Sequence, residues 1–102
     1  MKVLVSDPIT KAGLSILKKA KLDVVYLPEA NLEEKTQAAR KVQAWVVRSG
    51  TKISAEAIKL AKELVVIGRA GVGIDNININ AATRNGVVVM NTPDVNTISA
   101  AE

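Results

Sequence analysis

The alternation of short β-branched runs with amphipathic helical patterns constrains the fold of this sequence more than any other feature. Five apolar runs are predicted to form strands, at residues 3–5, 24–27, 44–47, 64–67 and 87–89. Between the first two runs, apolar side chains recur at helical spacing at Ile9, Ala12, Ile16, Leu17 and Ala20. Strands and helices that alternate with short connections predict right-handed βαβ crossovers, and therefore a parallel sheet with helices on both faces.

Five strands of this kind suit an α/β, flavodoxin-like three-layer sandwich with the strand order 2-1-3-4-5. The 102 residues are expected to form a single domain, spanning positions 1–102. A helix is predicted to begin at Ser99, and the sequence stops shortly afterwards at Glu102. We therefore expect this domain to be a truncated N-terminal part of a longer protein.

Polar residues mark where the predicted helices begin and end. Asn31 followed by Glu34 has the spacing of a capping box, and Ser54 is expected to cap the next helix. A short helix is predicted to begin near Asn78 and to end at Asn85-Gly86, since glycine tolerates the left-handed conformation of a helix stop. The apolar face of the Ser54 helix is predicted to comprise Ala57, Leu60, Ala61 and Leu64.

The composition excludes several kinds of function. The chain has no Cys and no His, so it lacks a thiolate nucleophile, a disulfide framework and the commonest metal ligands; we expect no metal site. No apolar run approaches the roughly 20 residues that span a bilayer, which favours a cytoplasmic chain without a membrane partner. The net charge is +4, but the cations are scattered and no aromatic platform accompanies them, so we expect no nucleic-acid partner.

A glycine-rich stretch, IGRAGVGIDN at residues 67–76, follows the fourth predicted strand. A dinucleotide fingerprint requires a third glycine where this chain has Asn76, a helix that begins within the motif, and an acidic residue after the next strand. The sequence meets none of these three requirements. We therefore expect no cofactor-binding residue in this segment and interpret the stretch as a loop that binds another ligand.

Three loops are predicted to meet at the carboxyl edge of the sheet, where open α/β sheets bind ligands. Residues 48–51, with Arg48, follow strand three; the glycine loop, with Arg69, follows strand four; and residues 91–96, with Asn96, follow strand five. Arginine side chains, hydroxyls and glycine amides are the groups that hold carboxylate or phosphate. The predicted ligand is therefore a small anion.

The segments VVRSGTKI, VVIGRAGVGIDN and AATRNGVVVMNTPDVNTISAAE together resemble the D-2-hydroxyacid dehydrogenases, and most closely those members that oxidise 3-phosphoglycerate with NAD in serine biosynthesis. The resemblance extends over essentially the whole chain. It implies that Arg48 binds the substrate phosphate and that Ala70, Gly71 and Val72, beside Arg69, bind the substrate carboxylate. It also implies that Asn96 lies near substrate and cofactor at a domain junction.

The same resemblance implies that the NAD-binding domain and the catalytic Arg, Glu and His lie beyond Glu102. We therefore expect this segment to be inactive alone, to bind no NAD, and to self-associate through its exposed C-terminal segment, residues 90–102. Three nearby polar residues receive structural interpretations. Asn91 is interpreted as a turn residue, Asp75 as ordering its own loop, and Ser6-Asp7 as a turn and helix cap.

Other interpretations stay open. A dehydrogenase for glycerate, glyoxylate or lactate would share the same motifs, although Arg48 favours a phosphorylated substrate. A stand-alone flavodoxin-like binding or signalling module is a second alternative, although a phospho-receiver would have a carboxylate where this chain has Arg48. A third is an excised folding unit that has no biological role of its own.

Overall fold

The computed structural model describes residues 1–9, 11–48, 50–70 and 76–92, with only the backbone described at 70, 91 and 92. Five strands and four helices alternate within these ranges. The strands are β1 (Lys2–Val5), β2 (Asp23–Tyr26), β3 (Ala44–Val47), β4 (Val66–Ala70) and β5 (Val88–Thr92). The helices are α1 (Lys11–Lys19), α2 (Leu32–Ala39), α3 (Ala55–Leu60) and α4 (Ile79–Arg84).

The strands form one sheet in the order β2-β1-β3-β4-β5, and every pairing is parallel. This confirms the predicted α/β fold and strand order. All five carboxyl ends lie at one edge of the sheet, because parallel strands share a direction. The register places Val47, at the end of β3, opposite Arg69 of β4, so the loop that begins at Arg48 starts beside Arg69.

The two faces of the sheet are covered unequally. On one face Leu4, Trp45 and Ile67 pack into the larger cluster, together with residues of α2, α3 and α4. On the other face a smaller cluster contains Val3, Val5 and Ala44, packed against residues that include Leu17 of α1. Successive side chains of a strand point to opposite faces of the sheet. Because both faces are covered, every position of these valine- and isoleucine-rich runs faces a core, and the runs are apolar throughout.

The predicted helix caps are confirmed. Asn31 and Glu34 form a complete capping box, Ser54 accepts from the backbone N–H of Ala57, and Asn78 accepts from that of Ala81. Gly86 has φ of 71°, the left-handed conformation predicted for a helix stop. The polar caps therefore form as local sequence patterns indicated.

Some predicted boundaries were wrong. Helix α3 ends at Leu60, so Leu64 packs into the core from the following connection rather than from the helix. Strand β4 continues to Ala70, past the predicted end at Ile67, and β5 includes Asn91, which was interpreted as a turn residue. The two strands extend together, since Arg69 pairs with Asn91 and Ala70 with Thr92. These backbone hydrogen bonds between the strands stabilise the extension, although the nearby glycines favour a loop.

Within the ranges the structure covers, no helix is long and apolar enough to cross a membrane.

Candidate anion-binding site

The loop after β3 is fixed to the end of β1 by one carboxylate. Asp7 Oδ2 accepts hydrogen bonds from the backbone N–H of Arg48 at 2.7 Å and from that of Thr51 at 2.9 Å. Its Oδ1 accepts from the Thr51 hydroxyl at 2.7 Å. Asp7 is buried, and these bonds to a charged acceptor are of the strong kind. The backbone that carries Arg48 is therefore held in one geometry.

Gly50 is the residue that lets this carboxylate approach so closely. A Cβ at position 50 would lie 2.8 Å from Asp7 Oδ1, inside van der Waals contact. The glycine at this position is thus explained by steric contact with Asp7. The presence of glycine at position 50 therefore does not require a contact between its backbone and a ligand.

A buried polar network extends from Asp7 beneath the loop. Lys35 Nζ of α2 lies 3.6 Å from Asp7 Oδ1, and both side chains are buried. The Ser6 and Thr51 hydroxyls are 2.9 Å apart, and the Trp45 indole N–H donates to the Ser6 hydroxyl at 2.8 Å. A buried carboxylate is costly without such partners, so the network gives Asp7 a counter-ion and gives the loop a rigid base.

Arg48 presents its side chain to solvent above this base. The residue is exposed, and its Nη1 reaches the Pro8 carbonyl at a long 3.3 Å. Because the backbone N–H is already bonded to Asp7, the guanidinium is the group of Arg48 that remains for an anion. A guanidinium can bind a phosphate or carboxylate through two parallel hydrogen bonds.

Arg69 differs from the sequence expectation, which placed it in a glycine loop. It lies within β4 and is only 8% exposed. Its Nε donates to Asn76 Oδ1 at 2.8 Å. Arg69 therefore contributes positive charge from within the sheet edge, whereas Arg48 offers an exposed hydrogen-bonding surface.

Asn76 joins the two arginine-bearing segments. Its Nδ2 donates to the carbonyl oxygens of Arg48, at 2.7 Å, and Thr51, at 2.5 Å, while its Oδ1 accepts from Arg69. Its backbone carbonyl accepts from the N–H of Ile53 at 2.8 Å. The β3–α3 loop and β4 are thus connected through one side chain.

Comparison with known proteins identifies the family. A model of the D-isomer specific 2-hydroxyacid dehydrogenase catalytic domain matches residues 3–102. The chain belongs to this family.

Two similar curated proteins carry the same name. The D-3-phosphoglycerate dehydrogenase of Archaeoglobus fulgidus is 51% identical over 102 residues, covering 100% of this chain and 19% of that protein. The D-3-phosphoglycerate dehydrogenase of Homo sapiens is 44% identical over 101 residues, 99% of this chain and 19% of that protein. This member of the 2-hydroxyacid dehydrogenase family therefore spans about a fifth of the length of these curated relatives.

A solved structure supports the same relationship. The NAD-bound 3-phosphoglycerate dehydrogenase of Entamoeba histolytica superimposes with a TM-score of 0.79 and 34% identity. The match covers 90% of this dehydrogenase-family chain and 32% of the other chain.

Among the site residues expected from sequence, the structure brings Arg48 and Arg69 to one edge of this dehydrogenase domain, joined through Asn76. Ala70 ends β4 beside them. Gly71, Val72 and Asn96, and also Asp75, lie outside the described residues.

Sequence reasoning missed the roles of Asp7, Thr51 and Asn76. The chain does bend at Asp7 after β1, but the prediction of a helix cap is wrong, because α1 begins only at Lys11 and the Asp7 carboxylate binds the β3–α3 loop. The sequence pattern indicates for Asn76 only that it replaces the third glycine of a dinucleotide fingerprint. One signal could have found Asp7: a lone carboxylate directly after a buried strand lies at the same sheet edge as the loops with arginines.

The described residues do not form a binding site for NAD, the cofactor of this dehydrogenase family. Asn76 occupies the position of the fingerprint's third glycine, and its side chain is already bonded to Arg48 and Thr51. Helix α4 begins only at Ile79, after its cap at Asn78, so it does not start within the glycine motif as a pyrophosphate site requires. Among the described residues there is likewise no cluster of three or more potential metal ligands.

Proposed function

We propose that this chain is the substrate-binding portion of an NAD-dependent D-3-phosphoglycerate dehydrogenase. The whole protein would oxidise 3-phosphoglycerate to 3-phosphohydroxypyruvate in serine biosynthesis, with hydride passing to NAD and the hydroxyl proton to a base. The observation that carries the proposal is Arg48, exposed at the carboxyl edge on a loop fixed by buried Asp7. Its relatives over this same segment are named for that reaction.

The phosphate end of the substrate is assigned to Arg48. An exposed guanidinium on a preformed loop loses little backbone freedom when it binds, which favours affinity for a small ligand. Arg69, from the neighbouring strand, adds positive charge beside it. A phosphorylated substrate carries more negative charge than a plain hydroxy acid, so two arginines at one edge favour the phosphorylated one.

The carboxylate end is assigned to the backbone amides of Ala70, Gly71 and Val72, which follow directly from β4. Asn96 is assigned to the junction with the cofactor domain. These assignments follow the family resemblance of the segment, and they place the two charged ends of one substrate on neighbouring loops.

Residues 1–102 form one domain in this proposal, and catalysis belongs elsewhere in the protein. The chain has no His to exchange the hydroxyl proton, and its described residues do not fit NAD. Hydride transfer requires the nicotinamide and the substrate carbon to be held in contact. The chain alone is therefore inactive and binds 3-phosphoglycerate weakly, with a Kd of about 1 mM or weaker, because only part of the enclosing cleft is present.

A titration followed by two-dimensional amide NMR tests the proposal. Adding 3-phosphoglycerate shifts the signals of Arg48, Thr51 and residues 69–73, whereas NAD shifts none. Arg48→Gln lowers the affinity at least about tenfold, since a hydrogen bond to a charged group contributes about 1.5–3 kcal/mol. Arg84→Gln, at the exposed end of α4, removes the same charge away from the site and leaves the affinity within about twofold. A folded chain whose signals do not move with 3-phosphoglycerate would refute the proposal.

D-Glycerate distinguishes the alternative within the family, an enzyme for glycerate, glyoxylate or lactate. If 3-phosphoglycerate is the substrate, D-glycerate binds more weakly and Arg48→Gln barely changes its affinity. Equal affinity for both ligands would favour the unphosphorylated alternative.

Self-association and location are also part of the proposal. Val88 and Met90 of the edge strand β5 are 59% and 54% exposed, and an exposed apolar edge strand favours pairing with another chain. The segment 90–102 is assigned to the same contact.

A cytoplasmic location is proposed for the dehydrogenase, because NAD and phosphorylated acids do not cross membranes freely. Fractionation of cells tests this location.

A further inference from the structure

We propose that Asn76 is a positioning residue that couples Arg48 to Arg69, so that one side chain sets both cationic groups of the anion site. The inference rests on the proposed function and extends it. Asn76 itself does not touch the ligand in this scheme; it acts through the two arginines.

The carboxamide of Asn76 uses both of its ends. Both hydrogens of Nδ2 are directed to carbonyl oxygens, those of Arg48 and Thr51 at 2.7 and 2.5 Å. Oδ1 accepts from Arg69 Nε at 2.8 Å. A carboxamide carries two donors and one acceptor atom in a plane, so this set of partners fixes which way the group faces.

The two carbonyls belong to the loop whose amides Asp7 holds. Asp7 accepts from the N–H groups of Arg48 and Thr51, and Asn76 donates to the C=O groups of the same two residues. The loop is therefore fixed from both sides by side chains of other segments. Asn76 connects this loop to Arg69 through side-chain hydrogen bonds.

The chemistry of position 76 requires asparagine. Aspartate would keep the acceptor for Arg69 but would place a second oxygen against two carbonyl oxygens, where repulsion replaces two hydrogen bonds. Serine is too short to reach both segments, which leaves buried or partly buried groups without their partners. Asn76→Asp therefore removes the hydrogen bonds to the loop carbonyls and keeps the acceptor for Arg69, whereas Asn76→Ser removes the link between the two segments.

The coupling predicts that a ligand on Arg48 is sensed at Arg69. When a phosphate group binds the Arg48 guanidinium, the hydrogen bond from Asn76 Nδ2 to the Arg48 carbonyl is polarised, and this change reaches Arg69 Nε–H through Asn76 Oδ1 without displacing the loop. The Nε–H of Arg69 gives its own NMR signal and reports this directly. A role of Asn76 limited to stability would leave the ligand-dependent shift of this signal unchanged in folded Asn76 variants.

The experiment compares Asn76→Ser and Asn76→Asp with Asn80→Asp, a control at an exposed position of α4. In the unaltered chain and the control, 3-phosphoglycerate shifts the Arg69 Nε–H signal. In Asn76→Asp that signal is retained but moves less, since the link to the loop is lost and only the direct field of the ligand acts on it. In Asn76→Ser, which has no charge change, affinity for 3-phosphoglycerate falls about tenfold while affinity for D-glycerate stays within about twofold.

Failure of this inference is distinguishable from failure of the proposed function. If Arg48→Gln weakens 3-phosphoglycerate binding and Asn76→Ser does not, Asn76 is not a positioning residue and the proposed function stands. A ligand-dependent shift of the Arg69 signal that is undiminished in Asn76→Asp would also overturn the coupling. If the unaltered, folded chain does not bind 3-phosphoglycerate, the proposed function itself falls. Should Asn76→Asp fail to fold, the affinities of Asn76→Ser decide, and should Asn76→Ser fail to fold, the Arg69 signal in Asn76→Asp decides.

Discussion

The Asp7 carboxylate accepts a 2.7 Å hydrogen bond from the backbone N–H of Arg48, a residue 41 positions further along the chain. This bond joins the end of β1 to the loop after β3, and it holds the residue that we assign to the substrate phosphate. Asp7 is thus a structural anion inside the site that we propose for an external anion. The carboxylate accepts from the loop amides, and the Arg48 side chain stays exposed.

Replacing Asp7 by Asn is expected to destabilise the chain by about 3–5 kcal/mol, because Lys35 then stays buried without its counter-charge. Urea unfolding followed by circular dichroism measures the loss. Asp23→Asn, at an exposed position of β2, removes the same charge and should change stability by less than about 0.5 kcal/mol. A loss below 1 kcal/mol for Asp7→Asn would contradict a structural role for the ion pair.

Gly50→Ala is expected to destabilise the chain by about 1–3 kcal/mol, because the added Cβ would meet Asp7 Oδ1 at 2.8 Å. The measurement is again the free energy of unfolding. In an Asp7→Ala background the same substitution should cost much less, because the clashing carboxylate is gone, and the difference is a direct coupling energy. Equal losses in the two backgrounds would assign the effect to the glycine backbone instead.

Trp45 is the single tryptophan and is fully buried, with its indole N–H bonded to Ser6. Its fluorescence should be blue-shifted and protected from acrylamide in the folded chain. Ser6→Ala is expected to cost about 1–3 kcal/mol, since the indole N–H loses its acceptor in a buried site. Ser15→Ala, at an exposed position of α1, serves as the control and should be nearly neutral. A folded state whose tryptophan is freely quenched would show that the network under the Arg48 loop does not form.

Met90→Lys is expected to weaken self-association, because a charge on an exposed edge strand opposes pairing with a second chain. Sedimentation equilibrium measures the change in the association constant. Leu32→Lys tests specificity, since Leu32 is also exposed, at 52%, but lies at the start of α2. A clean monomer for the unaltered chain at high concentration would contradict the proposed contact.

The elements themselves were predictable because their signals are local. The Asn31-Glu34 capping box, the Ser54 cap and the left-handed Gly86 each depend on residues within a few positions. The ends of β4 and β5 were less predictable, because Arg69 and Asn91 extend the strands by pairing with each other. Glycine near a strand end favours a loop. A neighbouring strand, however, supplies backbone hydrogen-bond partners, and the spacing of residues in the sequence does not reveal them.

The sequence by itself therefore determined the alternation, the sheet order and the presence of Arg48 at the carboxyl edge. The tertiary structure alone decided that Asp7 holds the backbone of Arg48 and that Asn76 joins Arg48 to Arg69. These bonds link residues from 7 to 41 positions apart, and short polar side chains such as Asp and Asn have the same local signature in a turn, a cap or a site. Only when the parallel strands align their carboxyl ends do these side chains meet, and together they form the candidate anion site.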